Sequence, residues 1–124
     1  MTERVAIVTG GTRGIGAAIS IMLRDSGYQV AAVYVSNDER AQAFAEANGV
    51  AVYRWDVADF AACEVGVAKV TEELGPVEVL VNNAGITRDG TVHKMGPDQW
   101  QAVIDTNLGS CFNMSHAVID SMRA

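Results

Sequence analysis

The stretch Thr9-Gly10-Gly11-Thr12-Arg13-Gly14-Ile15-Gly16 constrains this chain more than any other. An apolar run, Val5-Ala6-Ile7-Val8, precedes it and has the character of a strand buried on both faces. Ile15, Ala18, Ile19, Met22 and Leu23 follow at helical spacing. Strand, glycine turn and helix start together form a phosphate site. Glycines let the backbone approach an anion closely, and the helix start offers free N–H groups and the positive end of the dipole. The spacing is G-x-x-x-G-x-G, and no Lys-Ser/Thr pair follows the last glycine, so this is not a Walker loop. A glycine triplet alone fits an ordinary tight strand–helix joint equally well.

The rest of the chain decides between these readings. Strands are expected at Arg4–Thr9, Gln29–Val35, Val50–Trp55 and Val77–Asn82. Helices are expected at about Arg13–Ser26, Asp38–Asn48 and Asp59–Leu74. The third carries Phe60, Cys63, Val67, Val70 and Leu74 on one stripe. A loop to about Gly96 then leads into a last helix that starts at Pro97 and carries Trp100, Val103, Ile104, Cys111, Val118 and Met122. Alternating strands and helices imply an α/β fold: a Rossmann-type parallel sheet with helices on both faces, about four strands in the order 3-2-1-4, and right-handed crossovers. A ligand then lies across the carboxyl ends of the strands. Those ends carry the glycine turn, Ser36-Asn37, Asp56-Val57 and Asn82-Asn83-Ala84-Gly85.

At 124 residues the chain holds one domain at most, and 49% hydrophobic residues suit a sheet covered on both sides. A net charge of −6 argues against a general nucleic-acid or membrane surface. No apolar run is long enough to span a bilayer, and no signal peptide precedes the first strand. Cys63 and Cys111 form no metal or redox motif and fit core filling in a reducing, cytoplasmic compartment. His93 and His116 lack partners at metal spacing, so no metal site is expected; Trp55 and Trp100 read as packing residues.

The residue after the second strand bears on the choice of dinucleotide. NAD sites place Asp or Glu about 20 residues beyond the glycines to bind the ribose 2′-hydroxyl. Ser36 stands near that position and can donate to a 2′-phosphate instead. Arg13 in the turn and Arg40 at the start of the second helix add positive charge, although Asp38 and Glu39 lie close by. NADP(H) is therefore the expected cofactor.

The Thr9–Gly16 turn, Asp56-Val57, Asn82-Asn83-Ala84-Gly85 and Asn107, in this order and spacing, resemble the short-chain dehydrogenase/reductase family across the whole chain. Asn83–Asp89 and Val103–Leu108 are similar to the family's 3-oxoacyl reductases. Phe112-Asn113 and Val118–Met122 tilt the likeness towards the acetoacetyl-CoA reductases of polyhydroxybutyrate synthesis, with the acyl-carrier-protein reductases of fatty-acid synthesis as near neighbours. The resemblance implies that the turn, with Gly10, Thr12, Arg13, Gly14, Ile15 and Gly16, holds the cofactor's phosphates and adenosine ribose; Ser36 and Arg40 are expected at the 2′-phosphate from their place after the second strand. Asp56 and Val57 would meet the adenine, and Asn83, Ala84 and Gly85 would line the path to the nicotinamide. Asn107 matches the family's catalytic asparagine, which holds a water at a local helix distortion; an asparagine bonding its own helix backbone fits the bare sequence equally well.

One departure stands out. Members use a serine and a Tyr-x-x-x-Lys pair, whereas Tyr28, Tyr34 and Tyr53 are followed four residues on by Ala32, Asp38 and Val57, and the lysines are Lys69 and Lys94. The expectation is that residues 1–124 are the amino-terminal part of a single NADP(H)-binding Rossmann domain, inactive alone. The full-length enzyme would act on an acyl-CoA thioester as a homotetramer, and the fragment would self-associate through an apolar face of the last helix. A non-catalytic dinucleotide-binding module is the alternative from another class.

Overall fold

The structure is a computed structural model that describes residues 4–85 and 94–123. The strands are β1 (Val5–Thr9), β2 (Gln29–Tyr34), β3 (Ala51–Arg54) and β4 (Val77–Val81). All pair in parallel in the order β3-β2-β1-β4, with Ala6 opposite Val30 and Val79, and Ala31 opposite Ala51. This is the expected Rossmann-type order, and it places the reversal between β1 and β4.

The helices are α1 (Gly14–Asp25), α2 (Asp38–Asn48), α3 (Phe60–Leu74), α4 (Pro97–Val103) and α5 (Ser110–Arg123). They cover both faces of the sheet. Alternate strand residues Val5, Ile7, Ala31, Val33 and Tyr53 pack with Cys63, Val67 and Val70 of α3 and Met114 and Val118 of α5. Their neighbours Val8, Val30 and Ala32 pack with Ile19 and Leu23 of α1 and Phe44 of α2. Side chains alternate across a strand, so a run such as Val5–Val8 supplies both cores at once.

The facing of side chains refines the sequence reading. Of the helically spaced apolar residues of α1, Ile15 and Met22 are 76% and 69% exposed. Gly16 and Ser20 hold the buried line of α1 instead. Ser20 packs against the glycine turn, donating to Gly11 O at 2.9 Å, and a Cβ on Gly11 would lie 2.8 Å from Ser20 Oγ. Phe60 stands outside the α3 core, its ring centroid 6.1 Å from Phe112 and 5.0 Å from His116. Trp100 is 59% exposed, whereas Trp55 is buried with its ring flat against Gly66, where a Cβ would meet Cε3 at 2.3 Å. Cys63 is buried as expected, but Cys111 is only partly so.

The expected single last helix is divided. Between α4 and α5, residues Ile104–Gly109 form a π-helical segment. Leu108, Phe112, Ile119 and Met122 of this segment and α5 are exposed; of the apolar residues the sequence placed on the last helix, Trp100 and Met122 are exposed, whereas Val118 is buried. Among the described residues, no helix is long and apolar enough to cross a membrane.

Candidate functional site

The carboxyl ends of β1 and β4 are tied by one side chain. Thr9, at the end of β1 and 2% exposed, accepts from the N–H groups of Asn83 and Ala84 at 3.0 Å each and donates to Val81 O at 3.4 Å. Asn83 Nδ2 in turn donates to Gly10 O at 3.2 Å. The glycine turn and the Asn-Ala-Gly turn therefore form one unit. Sequence reasoning named Asn83, Ala84 and Gly10 but missed Thr9 as their clasp. The available signal was a lone hydroxyl closing an apolar run, at a place where two turns need a shared acceptor.

Two glycines of this unit have specific reasons. Gly14, the first residue of α1, has φ +57 with nothing within 4 Å of a Cβ position, so its backbone conformation and the open space beside it go together. At Gly16 a Cβ would lie 1.9 Å from Gly10 O and 2.5 Å from Asn83 Nδ2. Only glycine lets the first turn of α1 close against the Gly10 carbonyl. Arg13 is the N-cap residue of α1; its side chain makes no cap hydrogen bond, and the first turn carries no acidic residue. Thr12 is buried behind the turn, and Ile15 projects outward.

The end of β2 is more exposed. Ser36 and Arg40 are both at the surface, and Asn37 adopts φ +67 while its Oδ1 accepts from Arg40 N–H at 3.0 Å. Asp38 Oδ1 accepts from Tyr34 Oη at 2.9 Å, and Arg54 Nη1 reaches Asp38 Oδ1 at 3.2 Å and Oδ2 at 3.0 Å. Burial first, and then the bond and charge of Asp38, push the Tyr34 phenol above its ordinary range. Among the described residues, neither Arg13 nor Arg40 has an ion-pair partner.

The end of β3 is fixed from three sides. Asp56 Oδ1 accepts from Ala58 N–H at 2.9 Å, which orients its carboxylate across the turn. The Val57 carbonyl accepts from Asn113 Nδ2 of α5 at 3.0 Å and lies 3.5 Å from Cys63 Sγ. Burial pushes the Cys63 thiol up to about 11, against the opposing influence of Trp55 and with the charges of Asp59 and Asp56 adding to it. Asn113, 8% exposed, is the second residue that sequence reasoning missed. Its partner lies 56 residues away in sequence, and no local pattern points to it.

Asn107 lies in the π-helical segment, and a Cβ on Gly85 would come within 3.1 Å of Asn107 Oδ1. π-Helical turns recur at functional sites because they push a side chain out of the regular helical register. The structure thus brings Gly10, Gly16, Asn83 and Ala84 together, and Gly85 with Asn107. Ser36, Arg40, Asp56 and Val57 stand apart at the ends of β2 and β3. Residues 86–93, including Ile86–Asp89 and His93, lie outside the described residues. The tyrosines serve structure here: Tyr28 lies under Arg4, 5.6 Å from ring centroid to guanidinium, and Tyr53 donates to Glu73 at 2.6 Å. Among the described residues, no group of three or more acidic, His or Cys side chains is placed to hold a metal.

The sequence model of a family described as short chain dehydrogenase matches residues 4–124. The chain is 61% identical to an acetoacetyl-CoA reductase of Shinella zoogloeoides over 98% of its length and 60% identical to one of Paracoccus denitrificans over 97%. In both cases it covers 50% of the relative, so it spans about half the length of these curated relatives. It also superimposes on a blue fluorescent protein from a metagenomic library, solved in complex with NADPH, with a TM-score of 0.89 at 38% identity, covering 98% of this chain and 52% of that one.

Proposed function

The chain belongs to the short-chain dehydrogenase family, and on that premise we propose that it is the dinucleotide-binding part of an NADP(H)-dependent reductase that converts acetoacetyl-CoA to its 3-hydroxyacyl thioester, as in polyhydroxybutyrate synthesis. The observation that carries this reading is the identity to two acetoacetyl-CoA reductases across almost the whole chain.

The residues present fit a dinucleotide. The close approach of Gly16 to the Gly10 carbonyl, the open surroundings of Gly14 and the absence of any side-chain cap on α1 together make a cradle for a pyrophosphate. In this reading Gly10, Thr12, Gly14, Ile15 and Gly16 hold that group. Arg13, Ser36 and Arg40 take the 2′-phosphate, the arginines through their fork of donors. Asp56 and Val57 take the adenine edge, the Asp56 carboxylate held ready by Ala58 N–H. Asn83, Ala84 and Gly85 line the route towards the nicotinamide, their backbone fixed by Thr9. A bound nicotinamide dinucleotide supplies hydride for the ketone carbon. The alkoxide that develops needs a proton, and Asn107, set out of helical register beside Gly85, holds a water in that proton path.

The 124 residues contain no Tyr-x-x-x-Lys pair, so they bind the dinucleotide without turning substrate over by themselves. They form part of one NADP(H)-binding domain of a cytoplasmic homotetramer, with the apolar face at Leu108, Phe112 and Ile119 as its subunit contact. The test is NADPH consumption by the intact protein with acetoacetyl-CoA, measured beside an acetoacetyl acyl-carrier protein. Faster turnover of the CoA thioester is expected. A preference for the carrier protein would transfer the activity to fatty-acid synthesis, and no NADPH consumption with either would sink the reductase reading. This chain alone, shown by intact mass to end at Ala124, is expected to bind NADPH and to reduce neither.

A further inference from the structure

Asp38 poses a problem for an NADP(H) site. It stands two residues beyond Ser36, close to the position where an acidic side chain ordinarily binds the ribose 2′-hydroxyl of NAD and repels a 2′-phosphate. It is also the first residue of α2, directly after the Ser36-Asn37 turn. The structure occupies its carboxylate. Arg54 Nη1 reaches both oxygens, at 3.2 and 3.0 Å, and the Tyr34 hydroxyl donates to Oδ1 at 2.9 Å. Arg54 is itself anchored, because its Nε donates to Val35 O at 3.1 Å. The N-cap bond of α2 is made by Asn37, which accepts from Arg40 N–H, so Asp38 is not needed as its cap.

The side chains of Arg54 and Asp38 are 56% and 63% exposed, so their ion pair adds little to stability. Its consequence is electrostatic: a negative charge beside the end of β2 is paired, while Arg13 and Arg40 are left without ion-pair partners among the described residues. We propose that Arg54 is a specificity-determining residue of the dinucleotide site, holding the Asp38 carboxylate so that it neither takes a ribose hydroxyl nor repels a 2′-phosphate. This rests on the NADP(H) reading above. Arg54 acts through Asp38 and is a positioning residue; Tyr34 is its helper from the neighbouring strand.

The experiment compares NADPH and NADH affinities of the intact protein by fluorescence titration. In Arg54→Ala the preference for NADPH over NADH should fall roughly tenfold, the scale of one unit-charge interaction near a solvated surface. Adding Asp38→Asn to that variant should restore the preference, and Tyr34→Phe alone should lower it by a smaller factor. Far-UV circular dichroism checks each fold; should Arg54→Ala not fold, Tyr34→Phe and its combination with Asp38→Asn carry the same comparison. An unchanged preference, or an equal loss of both affinities, would overturn the proposal. So would a loss that Asp38→Asn does not restore, because Arg54 would then be contacting the phosphate itself. A parent protein that prefers NADH, or binds neither, overturns the NADP(H) reading instead and is seen before any variant is compared.

Discussion

Three strands deliver the chain into helices at the same edge of the sheet, and one of the three helix starts is built differently from the other two. At α2 the Asn37 side chain accepts from Arg40 N–H, and at α3 the Asp59 side chain accepts from Ala62 N–H at 3.1 Å. Each closes its own first turn, as Asn and Asp do at an N-cap. The start of α1 has no such partner: Arg13 lies in extended backbone without a cap bond, and Gly14 and Gly16 leave bare backbone around it. A helix start satisfied by its own sequence serves the fold. One left open, wedged against Gly10 and clasped through Thr9 to β4, is available to an anion.

The contrast can be broken most severely at Gly16. Gly16→Ala puts a methyl where Gly10 O stands, so NADPH binding should be lost and the melting temperature should fall; a variant that still binds would remove the close approach from the argument. Arg13→Asp makes α1 resemble its neighbours. The new cap should raise stability by about 1 kcal/mol while NADPH affinity falls roughly a hundredfold, through loss of one positive charge and gain of a negative one. Denaturant unfolding and titration on the same sample read the two opposing effects, and improvement in both would show that the open start serves no ligand.

At the β3 end the expected effects fall on stability. The Cys63 thiol is raised from an ordinary 9.0 to about 11, so the folded state favours the neutral form. Stability from this source is complete below pH 9 and is lost as pH rises towards 11, by about 2 to 3 kcal/mol over the range. Cys63→Ala should flatten that alkaline slope in denaturant melts. Asn113→Leu keeps bulk but leaves Val57 O without its amide donor, at a cost of about 2 kcal/mol read by the same melts. Asp59→Ala, which removes the cap of α3, should cost about 1 kcal/mol and leave NADPH affinity within a factor of two.

The strand order, the covering of both faces and the positions of the four loops at one edge were legible in the sequence. The elements themselves are written locally, in short apolar runs, helical spacing and glycine or proline breaks, and their strict alternation with right-handed crossovers then sets the order and the covering. Helix facing was less legible. Apolar spacing marked Ile15, Ala18, Ile19, Met22 and Leu23 as a helix without telling which of them face the sheet, and the buried positions of α1 prove to be Gly16 and Ser20. Phe60, placed on the apolar stripe of α3 by the same spacing, is the first residue of that helix and takes its ring partners from α5.

By itself, then, the sequence determined the α/β alternation, the glycine turn and the residue types at each strand end, because these depend on neighbours within a few positions. Only the tertiary structure decided which polar groups meet: Thr9 with Asn83 and Ala84, Asn113 with Val57, Arg54 with Asp38. Those partners lie on different elements, in the first two cases more than fifty residues apart. A hydrogen bond of about 3 Å between them depends on how strands and helices are stacked, which no local pattern encodes.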